Sequence, residues 1–198
     1  MRRNGEYIDM KRFLSNYSYH CVKIFVDQIA IAVFGLALAL SVGKAQSDAD
    51  PNKIQPMTVA VSVCAVLFFL VMAGQIAFRC GTEDREKISL GRFPKNNYTG
   101  FLMGLTANNP NLVLAVMYAV FWLFEATGGI AAVANLTMKL IYGEYLGILA
   151  IPINGTKLGM MPLSFFLITI PSIVVCGITY CLAVNGVVEI KPTKDKLE

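Results

Sequence analysis

Two acidic residues stand where an ionisable group is expensive, and they are the first place to look for chemistry. Asp27 lies within IFVDQIAIAVFGLALALSV (24–42) and Glu125 within PNLVLAVMYAVFWLFEAT (110–127). A charge at the centre of a membrane-spanning helix costs about 2.5–3.5 kcal/mol on insertion scales. Such a residue is therefore paired, or it handles an ion or a proton. Lys23, four residues before Asp27, shares its helix face and offers an ion pair; the alternative is contact with an ion, a substrate or another subunit. Glu125 follows Trp122 and Phe124, so it either reaches the headgroup layer or turns inward. If it turns inward, desolvation makes it a proton site. Gln28 and the Asn108-Asn109 pair before Pro110 complete a candidate intramembrane polar site of Asp27, Gln28, Asn108, Asn109 and Glu125. Gln28, Gln75 and Asn185 read as amides that bridge helices.

Catalysis finds little support. His20 is the single histidine; it sits beside Cys21 with no second ligand at helical or finger spacing. The chain has no HExxH, GxSxG, GxxxxGK[ST] or CxxC pattern. The reading is no catalytic residue, no cofactor, no metal, and a protein that is not an enzyme.

The elements that must position these residues are long apolar blocks. Of the 198 residues, 56% are hydrophobic and only 15% charged, whereas a soluble domain carries roughly a quarter charged residues. The blocks run to about 20 residues, the length that crosses a ~30 Å hydrocarbon core. Four spans are expected, at about 24–42, 57–78, 109–127 and 162–184. A cleavable leader ending near Gly43 and Ala45 is disfavoured by the 23 residues ahead of the first block and by the block's length. Within that block Gly35, Ala39 and Gly43 recur every four residues, a spacing that lets helices approach closely.

Between the blocks the expectations are less uniform. Residues 8–22 suit a short helix in the headgroup layer, with Ile8, Phe13, Leu14, Tyr17 and Val22 on one side, or a solvated tail. The third span starts near Asn109, with Asn capping and Pro in the first turn. Its rival starts at Thr99 and breaks at Asn108-Asn109-Pro110, as in some transporters. Residues 128–161 carry Lys139 and Glu144 among glycines and prolines and read as an outer segment: an interfacial helix over about 130–142, or a re-entrant loop. Pro171 kinks the last span, with Thr169 or Ser172 able to satisfy freed carbonyls. The cysteines (Cys21, Cys64, Cys80, Cys176, Cys181) lie in or beside apolar segments, so no structural disulfide is expected. Asn135-Leu-Thr and Asn154-Gly-Thr match the glycosylation sequon.

Charge sets the orientation. Of the 17 Lys and Arg residues, thirteen fall in the N-terminal segment, the 79–100 connection and the C-terminal tail. Four (Lys44, Lys53, Lys139, Lys157) fall on the opposite side. Cations accumulate in cytoplasmic loops, so both termini are expected in the cytoplasm of a multi-pass cell-membrane protein. Arg79, Arg85, Lys87, Arg92 and Lys95 are expected to contact anionic lipid headgroups there. Because the cations sit at the ends of apolar blocks and not on one folded face, nucleic acid is excluded as a partner. The domain reading is a basic segment 1–23, a membrane domain 24–184 and a cytoplasmic tail 185–198.

The chain resembles small uncharacterised multi-span membrane proteins of Gram-positive bacteria. The resemblance rests on the GFLMGL-like run within 99–105 after a basic loop, the stretch 139–152 ending in a Pro, and the final helix turning at 178–182. It implies a localisation and a source, and no activity.

Taken together, the expectation is an all-α integral membrane protein with an amphipathic or re-entrant outer segment between spans three and four. Its leading function is that of a non-catalytic accessory or structural subunit packing against itself or a larger membrane complex. The alternative is a transporter or channel component using Asp27 and Glu125. An intramembrane enzyme ranks last.

Overall fold

The computed structural model describes residues 10–45, 55–124, 129–153 and 155–187. Three helical stretches are long and apolar enough to cross a membrane: Met10–Val42, Pro56–Ser89 and Pro162–Val184.

Helix α1 (Met10–Ala45) shows no break where the basic segment was expected to give way to a span at residue 23. Its inward seam is Phe13, Tyr17, Cys21, Ile24, Gln28, Ile31, Ala32, Gly35 and Ala39, a spacing of three and four that keeps one stripe facing its neighbours. Leu14 and Val22 point outward. The N-terminal residues therefore prolong the spanning helix, because nothing between 10 and 24 breaks it; Ile8 lies outside the described residues. Thirty-six residues rise about 54 Å, well beyond a ~30 Å hydrocarbon core.

Helix α2 (Pro56–Ser89) starts with Pro in its first turn and runs on past its apolar part into TEDREKIS. It stops at a glycine. Gly91 has φ +67°, its N–H bonds Ile88 O at 2.9 Å, and Arg92 N–H bonds Lys87 O at 3.0 Å. This paired 5→2 and 6→1 closure requires a left-handed residue that glycine adopts without strain. The same closure ends the last helix, α8 (Ile170–Val184), at Gly186, with Gly186 N–H on Ala183 O at 3.0 Å and Val187 N–H on Leu182 O at 3.1 Å.

The third apolar block differs from its leading expectation. Helix α3 (Thr99–Ala107) begins ten residues before Asn109 and passes through Asn108 into α4 (Asn109–Leu123). Asn108 keeps a right-handed helical φ of −86°, and its N–H bonds Gly104 O at 3.1 Å while Leu112 N–H bonds Asn108 O at 2.9 Å. The helix is interrupted at Asn108 and starts at Thr99. It reaches back to Thr99 because glycines there fit against α8 (Ile170–Val184): a Cβ on Gly104 would lie 2.8 Å from Ile173 Cα, and Gly100 packs on Tyr180 and Cys176. These contacts make α3 and α8 antiparallel. Gly74 near Val175 and Gly81 near Ala183 make α2 and α8 parallel.

Helix α5 (Gly129–Ile141) packs along α4 instead of lying apart from the bundle. A 3₁₀ turn (Gly143–Tyr145) and short α6 (Leu146–Leu149) follow, then strands β1 (Pro152–Ile153) and β2 (Thr156–Lys157), a second 3₁₀ turn (Leu158–Met160) and α7 (Pro162–Leu167). The strands pair antiparallel, Pro152 opposite Lys157 and Ile153 opposite Thr156. The α7–α8 junction is bonded by hydroxyls: Thr169 Oγ1 donates to Phe166 O at 2.7 Å and Ser172 Oγ to Thr169 O at 2.9 Å.

Candidate functional site

The interior holds a continuous chain of polar side chains contributed by five parts of the fold. Gln28 occupies the inward seam of α1 and is 2% exposed. Asn111, in the first turn of α4, donates through Nδ2 to Gln28 Oε1 at 2.8 Å and to Asn108 Oδ1 at 3.4 Å. Asn108 spends its own amide protons on Gly104 O and on Ser172 Oγ, both at 2.8 Å. At the other end Gln28 Nε2 donates to Glu144 Oε1 at 3.4 Å. The run Glu144–Gln28–Asn111–Asn108–Ser172 thus joins the 3₁₀ turn to α1, α4, the α3–α4 interruption and α8.

Glu144 arrives there because its neighbours in sequence are small. Gly143 lies directly on Ala32 O of α1 and Gly147 directly on Thr58 O of α2, and a Cβ at Gly35 would sit 2.8 Å from Glu144 Cα. Gly147 N–H also donates to Ser62 Oγ at 2.7 Å. Any side chain at 143 or 147 would push the turn off both helices. The result is a carboxyl group with no exposed surface, held where an ionised form is costly unless it is paired and hydrogen-bonded.

The chain is incompletely satisfied. Glu144 Oε2, Asn111 Oδ1 and the hydroxyls of Tyr142 and Tyr145 are buried without a hydrogen-bond partner. Orphaned groups of this kind cost about 1–3 kcal/mol each, and these belong to the 143–145 turn, the tyrosine before it and the polar chain it joins.

A second buried carboxylate, Asp84, lies at the basic end. It accepts hydrogen bonds from Tyr17 of α1 and, at 2.8 Å, from Tyr180 of α8, and pairs with Lys87 at 3.3 Å. Beside it a cavity of about 310 Å³ is bordered by Arg12, His20, Glu83 and Phe93, with the Arg12 guanidinium 5.4 Å above the Phe93 ring.

The residues singled out by sequence are placed as follows. Gln28 and Asn108 enter the buried chain. Asn109 is exposed, and Asp27 is half-buried with Oδ2 unpartnered; neither joins the chain. Asp27 forms no ion pair with Lys23, which is exposed. Glu125 lies outside the described residues. Arg79, Arg85, Lys87, Arg92 and Lys95 are all exposed. Gln75 is exposed and bridges no helices, and Asn185 bonds only back to Cys181 O at 2.7 Å. Asn135 of the first sequon donates its amide to Gly159 O at 2.7 Å, and Asn154 of the second lies outside the described residues. Among the described residues no group of three or more His, Cys, Asp or Glu could hold a metal, and all five cysteines are free.

Sequence reasoning missed Glu144, Asn111 and Asp84. The available signal for Glu144 was GEYLG: a lone acid between two glycines, where the glycines permit the close approach that buries it. No family model, no curated protein and no solved structure matches the chain.

Proposed function

We propose that this chain is a four-span cell-membrane protein with both termini cytoplasmic, and that it works as a proton-linked transport component centred on Glu144. Residues 99–123 supply the remaining span. Residues 129–161 re-enter from the outer side: the turn at 143–145 meets α1 at Ala32 and Gly35, the middle of its apolar run, and the chain then returns past the first turns of α2. Irregular backbone at that depth is tolerated where protein buries it.

The observation that carries the reading is the fully buried Glu144, with one long hydrogen bond and one unpartnered oxygen, on a turn seated against α1 and α2 and linked through Gln28 and Asn111 to the helix interruption at Asn108. Transporters place their ion and proton sites at such interruptions, and an ionisable residue at membrane depth is functional by default. The accessory-subunit reading rests on small-residue faces, scarce intramembrane charge and the absence of a catalytic constellation; of these, the first is weakened, because Gly35, Gly81, Gly100, Gly104, Gly143, Gly147 and Gly177 make contacts inside the chain.

The test is reconstitution of the full chain into liposomes loaded with a pH-sensitive dye, with an imposed pH difference and a panel of small solutes. Solute-dependent proton movement that is lost in Glu144→Gln and kept in Lys95→Gln supports the proposal. No movement with the native chain under any gradient, or equal movement with Glu144→Gln, sinks it. Orientation is checked separately by labelling a terminal tag from outside intact cells, which should fail.

A further inference from the structure

Helix α2 and α8 together form a groove that the polar chain does not use. Leu67, Leu70, Val71 and Phe78 of α2 wall it with Val175 of α8, enclosing about 720 Å³. Its floor is Gly74, where a Cβ would already lie 3.2 Å from Val175 Cγ1 and 3.3 Å from Thr179 Cγ2. Thr179 turns its hydroxyl back onto Val175 O at 2.7 Å, leaving its methyl group toward the groove. At one end stand Gln75 and Arg79, one helical turn apart and both exposed. Neither side chain has a hydrogen-bond or ion-pair partner among the described residues. An amide and a cation without partners at the mouth of an apolar trough are the complement of an amphiphile with an anionic head.

Length decides which amphiphile or helix fits. From residue 67 to residue 79 is about 18 Å along the helix, close to half of a ~30 Å hydrocarbon core. A transmembrane partner helix would need a trough of full membrane depth, whereas one leaflet's lipid needs half. We propose that this groove binds one anionic phospholipid, its acyl chain along Leu67–Phe78 and its phosphate at Arg79 and Gln75. Arg79 begins the basic connection, so the lipid belongs to the leaflet on the basic side. The proposal stands apart from Glu144 and needs only that α2 cross a membrane.

The experiment uses the full chain in nanodiscs of phosphatidylcholine with a minor fraction of phosphatidylglycerol, read by native mass spectrometry. One retained phosphatidylglycerol, in preference to phosphatidylcholine, is expected. Arg79→Gln should lower that preference about fivefold, the contribution of one cation near a membrane surface, while Lys23→Gln, at an exposed position of α1, leaves it unchanged. Val71→Trp, at an exposed wall position, should remove retention of both lipids. Equal retention of the two lipids by the native chain overturns the proposal, as does unchanged retention in Arg79→Gln and Val71→Trp. An equal loss with Lys23→Gln overturns it in favour of bulk charge. Conversion of an oligomer to a monomer by Val71→Trp overturns it in favour of a second copy of the chain.

Discussion

Asp84 and Glu144 are both buried carboxylates in a helical bundle, and they are treated in opposite ways. Asp84 collects two phenols and a lysine, drawn from α1, α8 and its own helix. Glu144 has one 3.4 Å bond from Gln28 and a second oxygen with nothing. A fully satisfied buried charge rigidifies a fold, while a half-satisfied one is a standing cost. The Asp84 cluster is accordingly a clasp that fixes α1, α2 and α8 at the basic end. Glu144 is held in place by backbone contacts at Gly143 and Gly147, and its side chain is left to do other work.

The sharpest way to break this contrast is to remove each acid in turn. Asp84→Ala removes the acceptor shared by the Tyr17 and Tyr180 hydroxyls and should destabilise the protein by about 1–3 kcal/mol for each hydroxyl left without a partner, measured by chemical unfolding in detergent micelles followed by circular dichroism. Glu144→Gln keeps the shape of the side chain and an acceptor for Gln28 Nε2, and should change stability by no more than about 1.5 kcal/mol in the same assay. A loss as large as that of Asp84→Ala would show that the two acids are alike after all.

Smaller changes refine the comparison. Asn111→Ala leaves Gln28 Oε1 and Asn108 Oδ1 without their donor and should cost about 1–3 kcal/mol, read in the same unfolding assay. Lys87, although paired with Asp84, has a side chain 52% exposed. Lys87→Ala should change stability by less than about 1 kcal/mol, since the tyrosines carry the clasp. A larger loss would mean that the charge, and not the phenols, holds the three helices.

What could be read in advance follows from which forces act locally. The apolar blocks for α1, α2 and α7–α8 are visible as composition, because burial in lipid depends on a run of residues and not on their partners. The Asn-Asn-Pro interruption was visible too, but its meaning was not. The same signal caps a new helix or interrupts an old one, and the glycines at 100 and 104 meeting α8 decided the matter. Glu144 was illegible as a site because its burial depends on Gly35, more than a hundred residues away, receiving the turn. Asp84 was hidden among the charges of TEDREKIS, where nothing local distinguishes it from Glu83 or Glu86. The strands at 152–157 had a local signal in Asn154-Gly155, a dipeptide that favours tight hairpins.

The direction of the donors in the buried chain has one more effect. Asn111 gives both amide protons away, one stream ending on Glu144 and the other, through Asn108 and Ser172, on the Thr169 carbonyl. Carboxamides do not hand protons on as water or imidazole does, and none of these can turn over unless its neighbours turn with it. The row therefore responds as a unit to whether the acid is charged, and its carboxamides do not themselves relay a proton to the far helix.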